Sequence, residues 1–267
     1  MSETNILEKI TTYKKELVEK QKKELPVEAI KDAIANFAPT VSIKRKFQEA
    51  IVQGRMALIA EVKKASPSKG LIREDFNPVE IAKIYASSNA SAISVLTDER
   101  FFQGSLEYLK DVVSNVKLPV LRKDFIIDPY QIYQSRYYGA DWILLISSIL
   151  TKEQLLEYHD IAESIGLSCL VETHSEEEFD YHLERKTPII GINNRDLKTF
   201  VTDINHTLKL VKDKELCKSF IISESGIDNY NDIMKLSNAN ISGVLVGERF
   251  MREQDIALAI KKLFQPE

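Results

Sequence analysis

Eight short apolar runs recur along this chain at intervals of roughly 22 to 34 residues, and they restrict its fold more than any other feature. They read "ALIAEVKK" from Ala57, "SAISVLT" from Ser91, "LPVLRKD" from Leu118 and "DWILLIS" from Asp141. The series continues with "LSCLVET" from Leu167, "PIIGINN" from Pro188, "SFIISES" from Ser219 and "ISGVLVG" from Ile241. Short β-branched runs of this kind suit parallel strands buried on both faces. The intervals leave room for a loop, a helix and a return loop after each strand. Eight such units in one chain predict a closed (β/α)8 barrel, the TIM barrel, within the α/β class. An open doubly wound sheet is the alternative, but no glycine fingerprint follows the first run.

The segments between the runs carry helix-start signals. Asn77 precedes Pro78 and stands three residues before Glu80, and Asp128, Thr151 and Ser175 follow the same pattern of a cap and then Glu or Gln. Gly139 and Gly166 supply stops just ahead of the next run. Residues 1–48 precede the first run, and there Ile6, Ile10, Tyr13 and Leu17 fall at helical spacing. That predicts an amphipathic helical extension, broken at Pro26 and Pro39, with the Lys/Glu run from Lys14 to Glu24 as a solvated face. No linker or low-complexity stretch divides the chain, so a single domain is expected over 1–267, with the barrel from 49.

Charge and composition narrow the function classes. With 36 basic and 40 acidic residues, the net charge of −4 speaks against a broad nucleic-acid-binding surface. No apolar run approaches the roughly 18 residues of a membrane helix. The opening "MSETNILEKI" lacks a basic segment followed by an apolar core, so the cytoplasm is the expected compartment. In that setting Cys169 and Cys217, without a CxxC pair, read as reduced packing residues, and the two Asn-x-Ser/Thr matches carry no weight.

The polar residues collect at strand ends. In "LIAEVKKASPSKG", Glu61 and Lys63 are two apart and so face the same side of a strand. Lys123 ends the third run, Glu172 the fifth, Asn193 the sixth with Arg195 just beyond, and Glu224 the seventh. In a barrel these groups converge at the C-terminal mouth, where active sites lie. Lysines and carboxylates there suit acid–base chemistry on an anionic substrate, because burial shifts both toward neutrality. His159, His174, His182 and His206 are scattered and read as helix or loop surface, so no metal site is expected. The glycines in "SESGI" and "VGERF" fall in the two loops where such barrels hold phosphate.

These stretches resemble the indole-3-glycerol phosphate synthase family of tryptophan biosynthesis. "IAEVKKASPSKG", "ISVLTDERFFQGS", "LRKDFIIDPYQI", "LVETH", "GINNRDLKTF" and "ISESGI" carry the resemblance, which runs from "ILEKI" to the last strand. It implies ring closure, decarboxylation and dehydration of 1-(2-carboxyphenylamino)-1-deoxyribulose 5-phosphate by a carboxy-lyase that needs no cofactor. By position it implies Lys123 as general acid toward the ketone and Glu172 as the carboxylate that stabilises the cation or takes the ring proton. Lys63 and Glu61 would serve dehydration, Asn193 and Arg195 would orient the anthranilate end, and Glu224 would complete the acid–base set. Lys63, Ser66, Ser225, Gly226, Gly247 and Glu248 would hold phosphate. Phe125, with Phe101 and Phe102, forms either an aromatic wall or ordinary packing. "GERF" departs from the family pattern, leaving Arg249 either beside the phosphate or in solvent. A monomer or weak homodimer is implied, with other tryptophan-pathway enzymes as candidate partners. Two further readings remain: a Schiff-base barrel using Lys123 or Lys63 as nucleophile, and a non-catalytic scaffold.

Overall fold

The computed structural model describes residues 6–196, 199–216 and 218–265. Cys217, and Leu197 and Lys198 within "GINNRDLKTF", lie outside them. Eight parallel strands close into a barrel: β1 (Ala57–Val62), β2 (Ala92–Leu96), β3 (Val120–Lys123), β4 (Trp142–Ile146), β5 (Ser168–Thr173), β6 (Ile189–Asn193), β7 (Phe220–Glu224) and β8 (Gly243–Val246). Closure is made by β8 on β1, in the register Ala57 to Gly243 and Ala60 to Val246. Each strand coincides with one of the eight apolar runs.

Three helices precede the barrel: α1 (Ile6–Glu24), α2 (Val27–Ile34) and α3 (Ile43–Val52). The outer layer holds α4 (Pro78–Ser87), α5 (Glu99–Phe102), α6 (Leu106–Asn115), α7 (Pro129–Tyr137), α8 (Lys152–Ser164) and α9 (Glu176–Glu184). It is completed by α10 (Asn205–Val211), α11 (Tyr230–Asn238), α12 (Glu248–Met251) and α13 (Ile256–Phe264). Among the described residues, no helix is long and apolar enough to cross a membrane.

The local signals act as expected. Asn77 accepts from Val79 N and Glu80 N, and Thr151 and Ser175 form complete capping boxes. Gly139 and Gly166 adopt φ of +87° and +81°, the left-handed turn that ends a helix. After α4 the same turn falls on Asn89 at φ +61°, a side chain that tolerates this region. At α7 the pattern differs: Asp128 caps by accepting from Tyr130 N, but Gln131 turns inward. Its side chain donates to Phe125 O and accepts from Ile127 N, bracing the loop after β3.

Strand alternation builds two cores. Leu58, Ala60 and Val62 face the helices, whereas Ala57 and Ile59 face the barrel interior with Leu121, Trp142, Leu144, Leu170 and Ile222. α3 closes the floor: Phe47 packs edge-on to Trp142 and Phe220 at 6.1 and 5.4 Å. This helix runs across residue 48, where the sequence reading divides extension from barrel.

The extension departs from expectation at Lys14. α1 buries Ile10, Lys14 and Val18, a stripe with a spacing of four, instead of exposing its whole Lys/Glu run. Lys14 is 2% exposed and pairs with Asp98 at 2.9 Å and Asp124 at 2.6 Å. Two carboxylates inside the fold require a cation, and helical spacing presents Lys14 to them. Lys15, Glu16, Glu19 and Lys20 are solvated as the pattern implies.

Candidate active site

The inward-facing alternation that fills the barrel with apolar side chains places polar ones at its C-terminal end. Glu61 is the next inward position after Ile59, and Lys63 follows on the same side, with Nζ 2.7 Å from Glu61 Oε2. On β3 the inward pair is Leu121 and Lys123. Lys123 Nζ lies 3.2 Å from Glu172 Oε2 and 3.6 Å from Glu224 Oε2. Asn193 donates through Nδ2 to Glu172 Oε1 at 3.2 Å, and its own Oδ1 accepts from Arg195 N at 3.0 Å.

Two glycines make room for the carboxylates. A Cβ on Gly191 would stand 2.1 Å from Glu224 Oε1, and one on Gly247 would stand 2.3 Å from Glu61 Oε2. The space that a side chain would fill in an ordinary barrel layer here holds a charged group.

Burial alone would lower the affinity of Lys123 for its proton, but Glu172, Glu224 and Glu61 together outweigh it and hold the ammonium well above the ordinary lysine range. Glu61 and Glu172 are likewise buried, which would raise them, yet both lie below the ordinary carboxylate value. For Glu61 the counterweights are Lys63 and Lys123; for Glu172 they are Lys123, His174 and the Asn193 hydrogen bond. Glu224 goes the other way. Burial first, then the neighbouring Glu172 charge, push it up to about 8, so at neutral pH it carries a proton.

A carboxyl raised from 4.5 to about 8 binds a proton in the folded state that the unfolded chain has released. Its contribution to stability therefore falls as pH rises through that interval and is constant above it. Glu224→Gln removes this dependence. The variant is expected to gain stability relative to the parent between pH 5 and pH 8, as read by urea unfolding at both ends. A stability difference that is independent of pH would show that Glu224 is ionised throughout.

Every site residue named from the sequence except Phe101 lines one cavity of about 470 Å³ at the mouth. Phe102 and Phe125 stand 6.0 Å apart in a tilted pair on one wall. Phe101 is excluded from it and packs edge-on to Tyr13 of α1 at 5.9 Å. Across the mouth, Ser225 and Gly226, with φ of +68° and +72°, line the cavity. Ser66 lies on the loop after β1, which folds into a hairpin of Ala65–Ser66 with Gly70–Leu71; its hydroxyl is buried without a partner. Glu248 offers more than backbone: its carboxylate lies 3.7 Å from Arg195 Nη2 and 2.9 Å from Arg252 Nη2. Arg249 lines the cavity and pairs with Glu253 at 3.6 Å instead of pointing to solvent.

Three features carry no signature in the amino-acid order. His174 is no surface residue: Nε2 lies 3.4 Å from Glu172 Oε1, because it follows Glu172 by two on the same face. His182, also assigned to the surface, is buried on α9 between Ser147 and Thr187 hydroxyls. Ile6, Leu7 and Ile10 of α1 complete the cavity wall. The spacing of α1 marks Ile6 and Ile10 as apolar without indicating what they cover.

The family model for indole-3-glycerol phosphate synthase matches residues 7–263. The chain belongs to the indole-3-glycerol phosphate synthase family. An indole-3-glycerol phosphate synthase of Prochlorococcus marinus (strain MIT 9515) is 49% identical over 268 residues, spanning 98% of this chain and 90% of that protein. The synthase of Ruminiclostridium cellulolyticum is 46% identical over 263 residues, 97% of this chain and 98% of its own. Among solved structures, thiamine phosphate pyrophosphorylase from Pyrococcus furiosus is similar in fold, with a TM-score of 0.59 and 14% identity. That match covers 83% of this chain and 96% of the other. At that identity it bears on the barrel alone, while the synthase relatives match over nearly the whole chain.

Proposed function

We propose that this mouth makes indole-3-glycerol phosphate from 1-(2-carboxyphenylamino)-1-deoxyribulose 5-phosphate, with loss of carbon dioxide and water. The observation that carries the reading is the Lys123 ammonium, held among three carboxyl groups in one cavity with an aromatic pair. In ring closure, the ring carbon that bears the carboxylate attacks the ketone carbon, and Lys123 donates a proton to the ketone oxygen. Glu172, 3.2 Å from that ammonium, stabilises the cation that develops on the ring and nitrogen until the carboxylate leaves. Carbon dioxide then leaves with its bond pair returning to the ring.

Dehydration removes the new hydroxyl as water and a proton from the adjacent methylene, so it needs an acid and a base. Lys63 and Glu61 form that pair, and Glu224, protonated at neutral pH, completes the acid–base set beside Lys123. A positioned acid or base of this kind contributes about 10²- to 10⁴-fold. Asn193 and Arg195 orient the anthranilate end, and Phe102 and Phe125 cover its ring. Lys63, Ser66, Ser225, Gly226, Gly247 and Glu248 line the phosphate end.

The charge state of Lys123 speaks against a Schiff base on that lysine, since an ammonium has no free electron pair with which to attack a carbonyl. The same reading takes the chain as one domain, a monomer or weak homodimer in the cytoplasm, with other tryptophan-pathway enzymes as candidate partners. The test is the rise of indole fluorescence when the purified protein meets the substrate, with and without chelator. Turnover that persists in chelator is expected. A folded protein that leaves the substrate unchanged would overturn the proposal, and a borohydride-trapped lysine adduct would replace it with the Schiff-base route.

A further inference from the structure

One buried cation serves neither the reacting groups nor the solvent. Lys14, on the inner face of α1, has its Nζ 2.9 Å from Asp98 Oδ2 and 2.6 Å from Asp124 Oδ1. An ammonium in that position is tolerated only with such partners, and losing it would take the cation from Asp98 and leave Asp124 with Arg122 alone.

The two carboxylates sit at particular places. Asp98 follows β2 and caps α5, accepting from Phe101 N at 2.6 Å, and α5 ends on Phe102. Asp124 follows Lys123 directly. It accepts from Phe125 N at 2.8 Å and from the Thr97 hydroxyl at 2.7 Å, and it pairs with Arg122 at 3.0 Å. A single nitrogen therefore ties the segment that carries Phe102 to the segment that carries Phe125. It ties both to α1, where Ile10, one turn before Lys14, lines the same cavity.

We propose that Lys14 is a positioning residue that sets the aromatic slot, holding α1, Phe102 and Phe125 in register around the carboxyphenyl ring of the substrate. This rests on the function proposed above. Lys123 is held separately, by Glu172 and Glu224. Loosening the slot therefore weakens binding of the ring more than it weakens proton transfer to the ketone.

Two variants test this: Lys14→Met, and Lys14→Met combined with Asp98→Asn, which keeps the α5 cap while removing one stranded charge. Kinetics are measured well below each variant's Tm. KM is expected to rise about tenfold or more while kcat falls less than about threefold. If Lys14 were merely structural, Tm would drop with KM unchanged, and that result overturns the proposal. Absence of turnover by the wild type would instead count against the reaction itself, a separate failure. Should neither variant fold, hydrogen exchange of the wild type decides. The substrate with its ketone reduced to an alcohol is expected to slow the amides of α1 on binding, and exchange in α1 that ignores this ligand also overturns the proposal.

Discussion

Lys123→Met is expected to lower kcat by about 10²- to 10⁴-fold, the range that a single positioned acid contributes. The methionine fills a similar volume but has no proton to give the ketone oxygen. Removing the ammonium also strands the Glu172 and Glu61 carboxylates that it compensates, while Glu224 already carries a proton. A buried carboxylate without its partner takes up a proton in place of its charge. The variant should thus fold, with Glu172 raised toward the position that Glu224 holds in the parent. The assay is single-turnover formation of the indole product, beside a thermal melt that verifies folding. A folded variant with a tenth or more of parental kcat would place the acid elsewhere.

Glu172→Gln is expected to cost a comparable factor, about 10²- to 10⁴-fold in kcat, with a small change in KM. The amide keeps a hydrogen-bonding group beside Asn193 but not the charge. Glu172 is also the neighbour whose charge helps burial to keep Glu224 protonated. With that charge gone, Glu224 ionises more readily and becomes the nearest counter-ion of Lys123, at 3.6 Å. Lys123 therefore stays an ammonium, and the loss reports the part Glu172 plays in ring closure. The double variant Lys123→Met, Glu172→Gln should be little worse than either single one, because groups that act as a unit are not additive. A Glu172→Gln enzyme with nearly parental kcat would reduce that carboxylate to a packing role.

Much of this protein is legible in its amino-acid order, and particular residues say why. Asn77, Thr151 and Ser175 act on backbone groups two or three residues away, so their meaning is local and can be read from neighbouring letters. Glu61 and Lys63 pair by counting alone, because alternation along a strand is a fixed period of two. His174 obeys the same period relative to Glu172. It escapes notice because a histidine at a strand end has no signature distinguishing it from a surface one.

What sequence alone determined was the barrel, through eight apolar runs at regular intervals, and the set of polar strand ends that must share its mouth. Both follow from short-range periodicity and from the single closed topology that eight such units favour. Tertiary structure alone decided the protonation of these groups and the company they keep. Glu172 and Glu224 are both buried carboxyls at strand ends, yet Lys123, His174 and Asn193 hold one below its ordinary value, while burial and the Glu172 charge raise the other to about 8. Lys14 reads as one more member of a solvated Lys/Glu run until Asp98 and Asp124, more than eighty residues away in the chain, meet it in space. Coulomb energies depend on separation and local dielectric, quantities that only the folded arrangement supplies.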